Sequence, residues 1–390
     1  MIVFWLPEDE IYSPEKGSSL SRWVFEVVQA WGPCDSERVQ VWANQAAASQ
    51  ARYPGPLQRN PWLPWFQAFS RTRLGRILEG RFPGLAYCLA WWPFWRTARV
   101  LVLENRPHYS LYLRFLGFRG QIVLHQHNRR FSGVEDRYLR RLERTLNGII
   151  GCSWAILMPL KTRNPQLFSR CRVVYNAANP ALFHPGRGQK RPDVILFVGQ
   201  VVDGKGLHLL FDAVQQMGPE FGEVKVWVAA RTGLTGHGRL SDYEKQLESQ
   251  INHLGLVDRV RWLGFIQHER ELPKLMAEAT VLCLPSVAIE AFPLVILEAM
   301  HAGTPVVATD VGGVREGLED VGLVVEPEVE PLASALTRVF NDAELRERMT
   351  RSGLEKARRV YRWPLVAENF AQALNSLTGT LENSADRKTP

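Results

Sequence analysis

From residue 193 onward, short apolar runs alternate with longer stretches whose apolar positions recur at helical spacing, and few folds accept that alternation. "DVILFVG" (193–199) reads as a buried strand and "LHLLFDAVQQM" (207–217) as a helix with one apolar face. "VKVWVAA" (224–230) is a strand, "DYEKQLESQINHLG" (242–255) a helix stopped by glycine, and "RVRWLGF" (259–265) a strand. "ELPKLMAEA" (271–279) is a short helix, "TVLCLPS" (280–286) a strand, "PLVILEAMHAG" (293–303) a helix with proline in its first turn, and "PVVATD" (305–310) a strand. Strands joined through helices form parallel sheets covered on both faces, so the class is α/β and doubly wound. The first half repeats the pattern less regularly, with "MIVFWL", "RVQVWA", "ARVLVLEN" and "QIVLHQHN" as strands and "SLSRWVFEVVQAWG" as the first helix.

A chain of 390 residues exceeds one ordinary core. Charge divides it further. Residues 1–185 hold 24 Lys and Arg against 12 Asp and Glu; the remainder holds 23 against 28. Opposite signs suggest two domains with different partners. The basic "HPGRGQKRPD" (184–193) interrupts the periodicity and reads as the linker, giving domains at 1–185 and 186–363, with a flexible tail at 381–390. Cys34, Cys88, Cys152, Cys171 and Cys283 show no metal-ligand spacing and fit a reducing compartment. The N-terminus meets acidic residues too early for a signal peptide, and "LAYCLAWWPFW" (85–95) is about half the length of a spanning helix. These features lead us to expect a cytoplasmic protein, free or on the inner face of a membrane.

"VAIEAFPLVILEAMHAGTPVVATDVGG" (287–313) sets Glu290 and Glu298 among apolar residues, with no opposite charge close in sequence. A carboxylate amid apolar residues is costly unless it is hydrogen-bonded. The start of the helix at Pro293 offers backbone N–H groups, and vicinal hydroxyls of a sugar or a ribose pair well with carboxylate oxygens. A loop charge and a solvent-facing helical glutamate are the plainer alternative.

The segment "EAFPLVILEAMHAGTPVVATDVGGVRE" closely resembles the signature of glycosyltransferase family 4. "LFVGQVVDGKGLHLLFDA", "VYNAANPALFHP", "DRVRWLGFIQHERELPKLMAEATVLCLPS" and "YRWPLVAENF" follow the family order, over most of 148–371. "SPEKGSSLSRWVFEV", "LENRP" and "IVLHQHN" are weaker echoes, similar to bacterial enzymes of lipopolysaccharide core, capsule and spore-coat glycans. The resemblance implies two Rossmann-like domains facing across a cleft (GT-B), a C-terminal helix at 364–380 returning to the N-domain, and a retaining glycosyltransferase. Its expected partners are a UDP- or GDP-linked sugar and a glycan or lipid-linked acceptor.

Carried over by position, Glu290 binds the donor sugar with the backbone of Ala291, Phe292, Pro293 and Leu294. Glu298 holds the ribose, and Lys205 neutralises the leaving diphosphate. Phe265 and Ile266 complete the donor site. His127 faces the sugar near its reacting centre, and His125 lies deeper on the same strand face. Gly17 and Ser18 form an acceptor or phosphate loop. The chain departs from the family at Gln200, where an arginine is usual; Arg231, in a longer loop, is the candidate replacement. No two aspartates stand two positions apart, so the resemblance implies transfer without a metal or other cofactor.

Rival readings are weaker. "GQVVDGKG" (199–206) resembles a phosphate-binding loop, but Gly206 stands where a magnesium-binding Ser or Thr belongs. The basic, Trp-rich 59–99 would suit single-stranded nucleic acid; its clustering with Leu, Phe and Pro favours an anionic membrane surface instead, without nucleic acid. A non-catalytic relative acting as a scaffold has Gln200 as its hint.

Overall fold

A computed structural model describes all residues except 13–17, 32–38, 44, 47–56, 59–67, 69–71, 129–130, 132, 231, 236–239 and 380–390. Two compact units emerge, Met1–Tyr175 with Trp363–Pro390, and Asn176–Arg362. The first ends ten residues before the expected 185. The segment read as a linker is built into the second unit, where Lys190 Nζ donates to the Ala279 carbonyl (2.8 Å) and to Thr304 Oγ1 (3.0 Å). Its polarity reflects a surface turn, not a domain boundary.

The first unit holds a parallel sheet of β1 (Ile2–Trp5), β3 (Val39–Trp42), β5 (Leu57–Gln58), β6 (Val100–Glu104), β7 (Gln121–Gln126), β8 (Gly148–Gly151) and β9 (Cys171–Val173), in the order β5-β3-β1-β6-β7-β8-β9. A small parallel pair, β2 (Ile11–Tyr12) with β4 (Gln45–Ala46), lies apart. Every residue of β1 and β6 is buried, as central parallel strands covered on both faces require. The helix Trp363–Thr378 completes this core: Phe370 packs on Phe4 (5.5 Å), Trp23 (5.2 Å) and Trp31 (6.2 Å). Trp42 and Trp91 stack at 5.0 Å, and Trp95 is also buried. Much of the tryptophan content is therefore core, whereas Trp92 is 46% exposed; Trp62 and Trp65 lie outside the described residues.

The second unit orders β10 (Val194–Val198), β11 (Lys225–Ala229), β12 (Val260–Gly264), β13 (Val281–Leu284), β14 (Val306–Thr309) and β15 (Leu323–Val325) as β12-β11-β10-β13-β14-β15, all parallel. The chain moves from β10 to β11 on one side and from β13 to β14 on the other. Their carboxyl ends therefore diverge at a topological switch point, where such sheets bind ligands. The helix read at 293–303 spans Leu294–Ala302, and Pro293 precedes it with an extended ψ of 120°.

Candidate functional site

The loops that leave β10 and β13 meet at this switch point. After β10, Asp203–Lys205 forms a single 3-10 turn closed by Gly206 at φ 69°. A Cβ on Gly206 would lie 1.9 Å from the Pro285 carbonyl oxygen, so only glycine permits this approach. Across the gap, the amides of Val287 and Ala288 both donate to the Gly204 carbonyl at 3.0 Å. Gly312, at φ 63°, lets the loop after β14 close on Glu290, whose carbonyl accepts from the Gly313 amide at 2.8 Å.

These contacts bring together two charges 85 residues apart. Lys205 Nζ donates to Glu290 Oε1 at 2.6 Å, and Ser286 Oγ donates to the same oxygen at 2.5 Å. Glu298, on the fifth residue of its helix, is buried and bonded to His268, with Nε2 to Oε1 at 2.6 Å. Neither carboxylate has an opposite charge close in sequence, and the partners of both come from distant loops. Ser286 and His268 had no periodicity or spacing to reveal them.

Other sequence candidates fall in different places. Gln200 and Phe265 are exposed and Ile266 is half-buried, all at the carboxyl ends of strands. Ala291, Pro293 and Leu294 are half-buried. Phe292 is core, 5.9 Å from the Tyr361 ring, and its carbonyl already accepts from Asn176 Nδ2 at 2.9 Å, so its side chain is unsuited to ligand binding. No side chain caps the start of the helix at Leu294. Ser18 is a helix cap: its Oγ accepts from the Leu20 amide (3.2 Å) and donates to Glu10 Oε2 (2.6 Å). Gly17 and Arg231 lie outside the described residues.

In the first unit, His127 follows β7 directly, with His125 wholly buried one side-chain repeat earlier. Both reach Glu104 at the end of β6. His125 Nδ1 is 3.0 Å from Glu104 Oε2, and His127 Nε2 is 3.4 Å from that oxygen and 3.0 Å from His125 Nδ1. Burial pushes the Glu104 carboxyl up to about 6, against the opposing pull of His127. Burial pulls His125 down to about 3; it also pulls His127 down to about 4, assisted by His125 and opposed by Glu104. These are also donor atoms close enough, within 4.8 Å, to be weighed as a metal site. Hydrogen bonds join His125 to Glu104 and His127 to His125, so the three form a linked triad with His127 Nε2 3.4 Å from the carboxylate.

Two parallel-sheet, Rossmann-like units are the architecture of the GT-B class of glycosyltransferase folds. Residues 182–356 match the model of the glycosyl transferases group 1 family. Curated relatives include a phosphatidyl-myo-inositol mannosyltransferase of Mycobacterium leprae, 34% identical over 187 residues (47% of this chain, 46% of that protein). A D-inositol 3-phosphate glycosyltransferase of Corynebacterium urealyticum is 33% identical over 198 residues (50% of this chain, 46% of that protein). The chain thus spans about half the length of the curated relatives it matches.

Solved structures extend the likeness in fold to nearly all of the chain. Anabaena HepE, determined in complex with UDP and glucose, superposes with a TM-score of 0.72 at 22% identity, covering 96% of this chain and 100% of that one. A sucrose-phosphate synthase of Thermosynechococcus elongatus gives 0.73 at 19% identity, covering 97% and 100%.

Proposed function

We propose that the protein is a retaining glycosyltransferase that moves a sugar from a nucleotide-diphosphate sugar to a glycan or lipid-linked acceptor of a cell-surface polysaccharide or lipopolysaccharide. The observation that carries this reading is the Lys205–Glu290 contact at the switch point, with Glu298 on the adjoining helix. In this reading Glu290 accepts hydrogen bonds from sugar hydroxyls, and Glu298 accepts from the ribose. Lys205 stabilises the diphosphate as negative charge develops on it, work that a divalent cation does in other phosphate-leaving reactions. No metal is required of this mechanism. His127 is the sugar-facing imidazole of the first unit, which takes the acceptor.

A surface of the first unit supports a membrane-associated acceptor. Ile77 (60% exposed), Leu89 (39%) and Trp92 (46%) stand in successive helices and Phe82 (43%) in the turn between the first two, among exposed Arg73, Arg76, Arg81 and Arg96. The Arg96 guanidinium lies 5.2 Å over the Trp92 ring. Apolar side chains with basic neighbours suit an anionic lipid surface. Among the described residues no helix is long and apolar enough to cross a membrane.

The test is calorimetry with UDP, GDP and ADP, their sugars, and ATP with magnesium. One diphosphonucleoside should bind without magnesium. Glu298→Ala should weaken that binding by about tenfold or more, the loss of a hydrogen bond to a charged group. Glu290→Ala should retain the nucleotide but lower turnover. Binding of ATP-magnesium alone, or unchanged behaviour of both variants, would refute the assignment.

A further inference from the structure

Glu298 has two carboxylate oxygens and a single protein donor. Oε1 accepts from His268 Nε2 at 2.6 Å, and among the described residues nothing else donates to this buried side chain. Oε2 is therefore left as an acceptor for a ligand, since a buried carboxylate is costly until its hydrogen bonds are met. The contact also fixes the proton on the ring. An ionised carboxylate only accepts, so His268 Nε2 carries the N–H. His268 Nδ1 is buried without a partner; it is a lone pair, because an orphaned acceptor is less unfavourable than an orphaned N–H.

Both side chains stand on a braced frame within the second unit. His268 lies in the turn between β12 and the helix Leu272–Glu278. There the amides of Glu271 and Leu272 donate to the Gln267 carbonyl at 2.9 and 3.2 Å, and the Gln267 amide donates to Glu271 Oε2 at 2.8 Å. That helix packs on Leu294–Ala302, which carries Glu298. Thr304, just beyond the second helix, donates through Oγ1 to the Met276 carbonyl of the first and ties the two together. The buried Phe183 ring stands 5.4 Å from the imidazole at 66°, edge to face, which fixes the plane of His268 and so the direction of its Nε2–H.

Resting on the reading of Glu298 as the ribose ligand, we propose that His268 is a positioning residue that turns the Glu298 carboxylate so that Oε2 meets the ribose hydroxyls of a bound nucleoside diphosphate. The terminal torsion of an unrestrained glutamate is broad. Holding the carboxylate by one oxygen removes that freedom before the ligand arrives and lowers the ordering cost of binding. The donor is an N–H from a ring whose other nitrogen is a lone pair, so it orients the carboxylate without setting a positive charge against it. Glu290 is held differently, by the Lys205 ammonium and the Ser286 hydroxyl on one oxygen. Of the two glutamates, Glu298 is thus the one whose full negative charge is left to neutral hydroxyls.

Calorimetry on the full chain tests this with UDP, GDP and ADP and their 2′,3′-dideoxy counterparts, without magnesium. The nucleotide that binds the wild type most tightly should be preferred over its dideoxy form by about 10-fold to 100-fold, the value of hydrogen bonds to a charged group. His268→Ala should bring that ratio below about threefold by weakening the ribonucleotide and leaving the dideoxynucleotide little changed. His268→Gln, whose amide can donate in place of Nε2, should keep most of the preference. His268→Phe, which retains a ring beside Phe183, takes the place of the alanine variant if thermal unfolding shows that alanine does not fold. Equal binding of both forms by the wild type would refute the ribose reading of Glu298 and the proposal with it. A preference abolished by Glu298→Ala but kept by His268→Ala, or ribo and dideoxy affinities that fall in parallel in the His268 variants, would remove the positioning role alone. Nitrogen-15 spectra, with His268 assigned by its loss in His268→Gln, should show its proton on Nε2 at about pH 8, and a lone pair on that nitrogen would overturn the proposal.

Discussion

Replacing Glu104 with Gln should stabilise the protein at neutral pH. The carboxyl is wholly buried and pushed up from 4.5 to about 6. Its folded-state pKa therefore lies above its unfolded value, so the ionised form is the one the fold disfavours. That penalty is absent below about pH 4.5 and complete above about pH 6. A shift of about 1.5 units corresponds to about 2 kcal/mol. Glutamine preserves the volume, its carbonyl can replace Oε2 as acceptor for the His125 ring, and no charge is buried. Urea unfolding followed by tryptophan fluorescence should show Glu104→Gln about 2 kcal/mol more stable than wild type near pH 7.5, with the difference vanishing near pH 4.5. Equal differences at the two pH values, or a destabilised variant near pH 7.5, would refute the idea that this carboxylate is kept for function at the expense of the fold.

Gly206→Ala forces a Cβ toward the Pro285 carbonyl and strains a left-handed backbone, so thermal unfolding and nucleotide calorimetry should both show losses. Gly255→Ala, at φ 66° with nothing within 4 Å, is the control; it should lose only about 1 kcal/mol of stability and no nucleotide affinity. Sedimentation with phosphatidylglycerol vesicles should capture the wild type at low salt. Arg96→Glu with Trp92→Ala should release it, and capture by neutral phosphatidylcholine vesicles alone would refute an electrostatic contribution.

The second unit was legible because its information is local. The run 193–199 became β10 at Val194–Val198, and 305–310 became β14 at Val306–Thr309. Apolar runs, helical spacing and glycine stops act over a few residues, and one chain displays them directly. The pairing of Lys205 with Glu290 is different in kind. It depends on Gly206 and Gly312 allowing loops to touch, and neither glycine announces its partner. His268 is hidden for the same reason: it meets Glu298 from a loop 30 residues earlier. In the first unit His127 stood out through the family resemblance, whereas Glu104 looked like an ordinary strand-end charge. Only the register of β6 beside β7, which pairs Glu104 with His125, makes it a partner of the histidines. The misplaced linker shows the converse error, polarity taken for separation where the backbone is anchored.

Phe370 lies near the end of the chain, yet it packs against Phe4 and Trp23 from the beginning. The first unit is thus discontinuous, with residues 176–362 inserted between its two parts. During synthesis the inserted unit is complete before the unit that begins the chain, reversing the usual N-terminal-first order. Until the last helix leaves the ribosome, the aromatic surface around Trp23 lacks its cover, and an interrupted chain would carry that surface exposed. The enclosure of the triad therefore waits for the helix Trp363–Thr378, so the side chains around His127 are settled only after the inserted unit has been made.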